Sequence, residues 1–323
     1  MTGQQLAERL RGGDLSAAPE VLNLLESRRP ADREQAKSLL RHLSPAVLGR
    51  EAPGHIVGVT GPPGAGKSTL LSVLVRHLRQ HGYDSVAVLA VDPSSRRSGG
   101  SLLGDRARIA HDPSDTSVFI RSTATGDRLG GLAWGTRAAA QALAAAFEIV
   151  VIETVGVGQA ETEVADVADT VVVVVQPGSG DVLQFLKSGI MEIPDVLVVT
   201  KADLGQLALN ARRDLSSALR SLGNSRTPVV AVSSLPPTAE FDRLAQELEQ
   251  SRARCDISAR RWQARRAGAL TDFVIEYGQQ GLRALGGPRA AEQALAALDR
   301  GLSEPELEAA LSAQLMSRQE SLG

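Results

Sequence analysis

Gly61-Pro62-Pro63-Gly64-Ala65-Gly66-Lys67-Ser68, followed by Thr69, is the stretch that decides the fold. It matches every fixed position of the phosphate-loop pattern G-x-x-x-x-G-K-[ST]. His55-Ile56-Val57-Gly58-Val59-Thr60 before it reads as a buried strand, and Leu70, Leu71, Val73, Leu74, Val75 and Leu78 after it give a helix an apolar face. Glycines let such a turn curl so that successive N–H groups point inward at a phosphate, and the helix adds the positive end of its dipole. Lys67 is expected to reach the β- and γ-phosphates, and the Ser68 hydroxyl to ligate Mg²⁺. The chain is expected to bind a nucleoside triphosphate.

Around that loop, residues 55 to about 250 alternate between β-rich and helical runs. Strands are predicted over 55–60, 85–91, 117–121, 148–154, 170–176, 195–200 and 228–233. Most are continuous Val/Ile/Leu runs, as parallel strands covered on both faces require. Helical runs such as the alanine-rich segment 134–147 lie between them. The pattern predicts an α/β fold with a doubly wound, mostly parallel sheet, whose ligands bind at the carboxyl ends of the strands.

Three further motifs sit just after predicted strands. Asp92 in Val91-Asp92-Pro93-Ser94-Ser95 ends the strand beside the phosphate loop, where a carboxylate reaches Mg²⁺ directly or through water. The glycine-rich loop 96–106 follows, with Asp105 as a second metal-ligand candidate, and reads as a nucleotide-ordered switch. Glu153 closes the run Glu148-Ile149-Val150-Val151-Ile152, and its spacing to Gly156 matches the Asp-x-x-Gly of GTPases, whose glycine N–H meets the γ-phosphate. Val157 stands where Ras-like enzymes carry a water-orienting glutamine, and Gln159 comes two residues late, so unassisted hydrolysis is expected to be slow.

Lys201-Ala202-Asp203, after Val196-Leu197-Val198-Val199-Thr200, addresses base choice. A carboxylate there accepts both N1–H and N2–H₂ of guanine, a pairing that adenine does not offer. Thr200 replaces the usual asparagine and is expected to tie the loop through its hydroxyl. Ser233, Ser234 and Leu235, after the last predicted strand, fit the loop whose backbone meets the guanine oxygen.

The flanks carry no such motif. Residues 1–50 read as short helices: Leu6 with Leu10, then Val21, Leu22, Leu24 and Leu25, then Leu39, Leu40 and Leu43 after Pro30. Beyond 255 only helical spacing survives, in Leu270, Phe273, Val274 and Tyr277 and later Leu307, Leu311 and Leu315. That much leucine is expected to pack on the main domain or on a second copy. Arg260, Arg261, Arg265 and Arg266 around Trp262 read as a solvated helix face or a contact to an acidic partner. The expected division is a helical extension over 1–50, a nucleotide domain over 51–255 and a helical region over 256–323.

Composition removes several classes. The net charge of −2 argues against a nucleic-acid partner held by bulk charge. One cysteine, Cys255, rules out an internal disulfide framework and fits a reducing cytosol. The N-terminus lacks a signal-peptide core, and runs such as Val171–Val175 fall far short of the ~20 residues of a membrane span, so a cytoplasmic protein without membrane contact is expected.

Taken together, these blocks resemble the MeaB/ArgK-type GTPases, chaperones of adenosylcobalamin-dependent acyl-CoA mutases. The most specific are Asp92 to Asp105, Glu153 to Gln159, and Gly178-Ser179-Gly180-Asp181 leading to Lys187-Ser188-Gly189-Ile190-Met191-Glu192. The resemblance implies a phosphate-loop domain of the signal-recognition-particle and MinD-like branch, with Mg²⁺ as cofactor and GTP and GDP as substrate and product. It implies that Asp92, Asp105 and Glu153 serve the metal and γ-phosphate. The segment from Gly178 to Lys187 would be an additional switch that senses the mutase, and the C-terminal helices would form a homodimer. Other readings are a nucleotide-dependent dimeric binding module with incidental hydrolysis and an amino-acid-transport-associated kinase. A nickel-delivering GTPase would need Cys/His ligands, against which stand one cysteine and five scattered histidines.

Overall fold

The computed structural model describes residues 1–27, 29–92, 109–124, 134–154, 160–178 and 194–320. Its contacts divide the chain into two compact units. One comprises Met1–Pro53, Arg137–Ala146 and Asp256–Gly323, the other Gly54–Thr136 and Phe147–Cys255.

The second unit is a sheet of seven strands: β1 (His55–Thr60), β2 (Val86–Asp92), β3 (Val118–Ala124), β4 (Ile149–Glu153), β5 (Thr170–Val175), β6 (Val196–Val199) and β7 (Val229–Ala231). Their order is β3-β2-β4-β1-β5-β6-β7, and every pairing is parallel. β1 lies between β4 and β5, where successive connections change direction, which is where ligands of such sheets bind. Strand residues are buried on alternate faces alike: Val57, Val59, Val151, Val172, Val174 and Val198 join one core with Leu70, Leu74 and Leu78. Those leucines belong to α5 (Lys67–Gln80), preceded in the chain by α1 (Gly3–Arg11), α2 (Ala18–Glu26), α3 (Pro30–His42) and α4 (Pro45–Leu48). Burying each such leucine contributes about 1.5–3 kcal/mol.

Further helices of the described chain are α6 (Trp134–Leu143), α7 (Ala160–Val167), α8 (Gln206–Ser221) and α9 (Glu240–Arg254). Phe241, Leu244 and Leu248 of α9 complete the same core. β3 runs three residues past the predicted 117–121. The apolar run ends at Arg121, yet Ser122 and Thr123 continue the ladder opposite Ala90 and Val91. β7 is shorter than predicted, ending at Ala231.

The first unit gathers both ends of the chain. Its C-terminal helices are α10 (Ile257–Ala284), α11 (Pro288–Ala296) and α12 (Glu304–Glu320). Trp262, Phe273, Leu282, Leu295, Leu307, Leu311 and Leu315 bury one another in a single cluster. The C-terminal leucines are therefore covered within one chain, and their burial makes no demand for a second copy. Of the arginines around Trp262, Arg261 and Arg265 are buried, which corrects the reading of a solvated face. Arg265 grips Glu51 with two bonds of 2.9 Å, Arg261 donates to the Ala52 carbonyl at 2.6 Å, and Arg266 lies 5.4 Å above the Trp262 ring. The acidic contact lies inside the protein.

Candidate functional site

The phosphate loop fills the turn from Thr60 of β1 to Lys67 of α5. Gly61 takes φ 143°, and a Cβ there would fall 2.0 Å from the Val174 carbonyl of β5, so only glycine fits. Gly64 and Gly66 are also at positive φ, 79° and 89°. Pro63 and Gly64 are exposed on the loop, as is Thr69 in the first turn of α5, while Ala65 is buried beneath the loop and Pro62 is intermediate. Lys67 is buried, and its ammonium donates to the carbonyls of Gly61 at 2.7 Å and Pro62 at 3.2 Å. The charge thus lies across the loop, and the first N–H groups of α5 have no partner within the helix.

Glu153, the last residue of β4, stands opposite Val59 of β1 and is buried. Ser68 donates its hydroxyl to Glu153 Oε1 at 2.7 Å. The next residue, Thr154, secures this edge with an N–H to Val59 O at 3.0 Å and a hydroxyl to Thr60 Oγ1 at 2.9 Å. A hydroxyl and a carboxylate side by side are hard oxygen donors, the set that suits Mg²⁺. Asp92 ends β2, next to β4, where Ala90 pairs with Glu153; the backbone therefore brings Asp92 to the same edge of the sheet. The side chain of Asp92, and Asp105, Gly156, Val157, Gln159 and Lys187 entirely, lie outside the described residues.

On the other side of β1, the predicted base-reading residues follow β6. Thr200 is buried and donates to Ala65 O at 2.6 Å, with Val175 O at 3.2 Å. Lys201 turns the chain at φ 54°, and its ammonium donates to Gln176 Oε1. The N–H of Ala202 binds Val232 O at 3.0 Å. Asp203 is exposed, and its Oδ1 accepts from the buried Ser233 hydroxyl at 3.1 Å. Ser234 is buried while Leu235 is 76% exposed. Two sequence-predicted segments thirty positions apart thus meet at Asp203 and Ser233. Gln176 and Thr154 carry no role in the sequence reading; their signal is that each is a polar residue closing a predicted apolar strand, 170–176 and 148–154.

The sequence model of the methylmalonyl-CoA mutase-associated GTPase MeaB family matches residues 18–277. A probable GTPase of Mycobacterium tuberculosis is 47% identical over 219 residues, 67% of this chain and 63% of the relative. A putative GTPase of Pyrococcus abyssi is 44% identical over 233 residues, covering 70% and 69%. The mitochondrial methylmalonic aciduria type A homolog of Caenorhabditis elegans is 38% identical over 226 residues, covering 68% and 56%. The chain thus spans about 63% of the length of the mycobacterial relatives it matches. A crystal structure described as an LAO/AO transport system kinase superposes with a TM-score of 0.65 at 28% identity, over 97% of both chains. With the family match running from α2 well into α10, across the phosphate loop and both flanking motifs, this chain belongs to the methylmalonyl-CoA mutase-associated GTPase MeaB family.

Proposed function

We propose that this chain is a Mg²⁺-dependent GTPase that serves an adenosylcobalamin-dependent acyl-CoA mutase as chaperone, gating cofactor delivery and protecting or reactivating the enzyme. The observation that carries the chemistry is the Ser68–Glu153 pair at 2.7 Å beside the buried Lys67. The reaction is attack of water on the γ-phosphorus of GTP, with GDP leaving and phosphate released. Lys67 and the loop N–H groups stabilise charge on the phosphate oxygens. Ser68 and Glu153, with Asp92 and Asp105, would hold Mg²⁺, which when bound neutralises charge on the β- and γ-phosphates. Gly156 supplies a backbone N–H to the γ-phosphate. Asp203 accepts from guanine, and the Lys201 stem covers the base.

In this reading Val157 leaves the attacking water unoriented, so turnover is slow until a mutase orders the switches, Lys187 among them. The family description and the name of the nematode relative support a mutase as client. Residues 51–255 turn over nucleotide, and 256–323 hold a homodimer. No helix among the described residues is long and apolar enough to cross a membrane.

Likeness to a structure described as an LAO/AO transport system kinase supports a second reading, an amino-acid-transport-associated kinase that passes the γ-phosphoryl group to an acceptor. One experiment separates them: incubate the protein with γ-labelled GTP and Mg²⁺, with and without a cobalamin mutase, and follow label in phosphate and in protein. Label released as phosphate, faster with the mutase, is the expected result. Label retained on protein would favour the kinase, and release indifferent to any cobalamin mutase would remove the chaperone role.

A further inference from the structure

The far end of α5 carries His77 and His81, four residues apart and so on one face of the helix. Asp242, in the first turn of α9, faces both. His77 Nε2 lies 3.2 Å from Asp242 Oδ1 and His81 Nε2 lies 3.5 Å from the same oxygen. One ligand atom from each residue lies within 4.8 Å of the others. The two imidazoles stack with centroids 3.9 Å apart, and the buried Phe241 ring stands 6.0 Å from His77.

The proton on His81 is assigned by its neighbour. Its Nδ1 lies 2.8 Å from the His77 carbonyl oxygen, which only accepts, so Nδ1 carries hydrogen. When the ring is neutral, Nε2 presents a lone pair to a carboxylate oxygen, an arrangement that a bound cation satisfies. A backbone carbonyl fixing one ring nitrogen while the other faces outward is the usual support of a metal-binding imidazole.

We infer that His77, His81 and Asp242 form a binding site for a first-row transition dication of the Zn²⁺ class. The ligands would be two Nε2 atoms and one carboxylate oxygen, with solvent completing the shell. This site is separate from the Ser68–Glu153 pair: Lys67 and His77 are ten positions apart on α5, about 15 Å along the axis. Two imidazoles select against Mg²⁺, which keeps to oxygen. The ion would clamp the helix of the phosphate loop to the helix that follows the Ser233–Leu235 loop.

The test is titration of Zn²⁺ into tag-free, chelator-stripped full-length protein by calorimetry, with melting curves alongside. One equivalent per chain binds with micromolar or tighter affinity, and saturating Zn²⁺ raises the melting temperature. His81→Gln and Asp242→Asn change residues whose side chains are 52% and 65% exposed, so both variants keep the metal-free melting temperature. Each weakens Zn²⁺ roughly tenfold or more. Failure of the wild type to bind one equivalent, leaving a plain histidine–aspartate ion pair, overturns the inference. So does binding that both variants retain, which would put the ion elsewhere.

Discussion

Thr200 gives its hydroxyl to the carbonyl of Ala65 at 2.6 Å, joining the loop after β6 to the phosphate loop after β1. The residue usual at this position, asparagine, makes more hydrogen bonds. Threonine keeps the bridge with one donor, and burial at 3% exposure shields that bond from water. The two ends of a bound nucleotide would thus be held by loops that are tied to each other.

Thr200→Val keeps the shape and removes the donor. It leaves the Ala65 carbonyl short of a partner, at a cost of about 1–3 kcal/mol. The expected outcome is a lower melting temperature together with weaker GDP and GTP binding by fluorescence titration. Loss of stability without loss of affinity would confine Thr200 to packing.

Asp203→Asn exchanges a charged acceptor for an amide that both donates and accepts. If Asp203 pairs with guanine, GTP binding weakens by about 1.5–3 kcal/mol while ATP binding is unmoved. The ratio of the two affinities is the measurement. Ser233→Ala, which removes the 3.1 Å bond to Asp203 Oδ1, moves it the same way by less.

Glu153→Gln preserves length and removes the charge that faces Ser68. Hydrolysis should fall roughly 10–100-fold and the Mg²⁺ concentration for half-maximal rate should rise. GTP binding measured in the presence of a chelator should change little. A variant with unaltered Mg²⁺ dependence would separate Glu153 from the metal.

Much of the nucleotide unit was legible because its signals are local. Val171–Val175 and Val196–Val199 are continuous apolar runs, and in the structure they are parallel, doubly covered strands. Gly61 to Ser68 needs only its own spacing to be read. In the other unit the helices and their leucine stripes were legible, but their partners were not, because its contacts join distant positions. Arg137, inside an alanine-rich stretch, meets Glu304 across 167 residues, and Arg265 meets Glu51 across 214. An arginine cluster seen without its acid looks solvated. The convergence of Asp242 on His77 and His81 is invisible for the same reason, since the aspartate comes from another helix.

The Arg137 cluster gives a prediction in pH. Its guanidinium binds Asp272 Oδ1 and Glu304 Oε1, each at 2.9 Å, so one cation faces two acids in a buried place. Burial, with repulsion from Glu304, pushes the Asp272 pKa up to about 7, although Arg137 draws it down. The folded protein then holds a proton that the unfolded chain releases near 3.8. Stability from this group is full below 3.8 and is lost as pH rises to about 7. Asp272→Asn, which cannot ionise, should melt progressively higher relative to wild type between about pH 4 and 7, with the difference levelling off above that. Equal pH dependence in both would show that Asp272 is already ionised across that range.

Close approach in the same cluster makes Gly268 sensitive. A Cβ there would fall 2.4 Å from the Glu304 carboxyl carbon, and Glu304 is pinned by Arg137. Gly268→Ala must either displace that carboxylate or shift α10. A loss of about 1–3 kcal/mol in chemical denaturation is expected, the range for overpacking.

The buried leucines of the C-terminal helices narrow where a homodimer would form. Leu307, Leu311 and Leu315 are occupied within the chain, whereas Ile275 of α10 and Met316 of α12 are 45% and 55% exposed. A dimer through these helices must use such residues. Truncation after about residue 260 is therefore a poor test, because it removes the whole cluster from Trp262 to Leu315 and not only the surface a dimer would use. The better pair is Ile275→Glu with Met316→Glu, against Leu311→Ala. The surface pair should turn a dimer into a monomer in sedimentation velocity with the melting temperature kept. Leu311→Ala should cost about 2–5 kcal/mol of stability. A wild type that sediments as a monomer, or a surface pair that stays dimeric, would place the interface away from these helices.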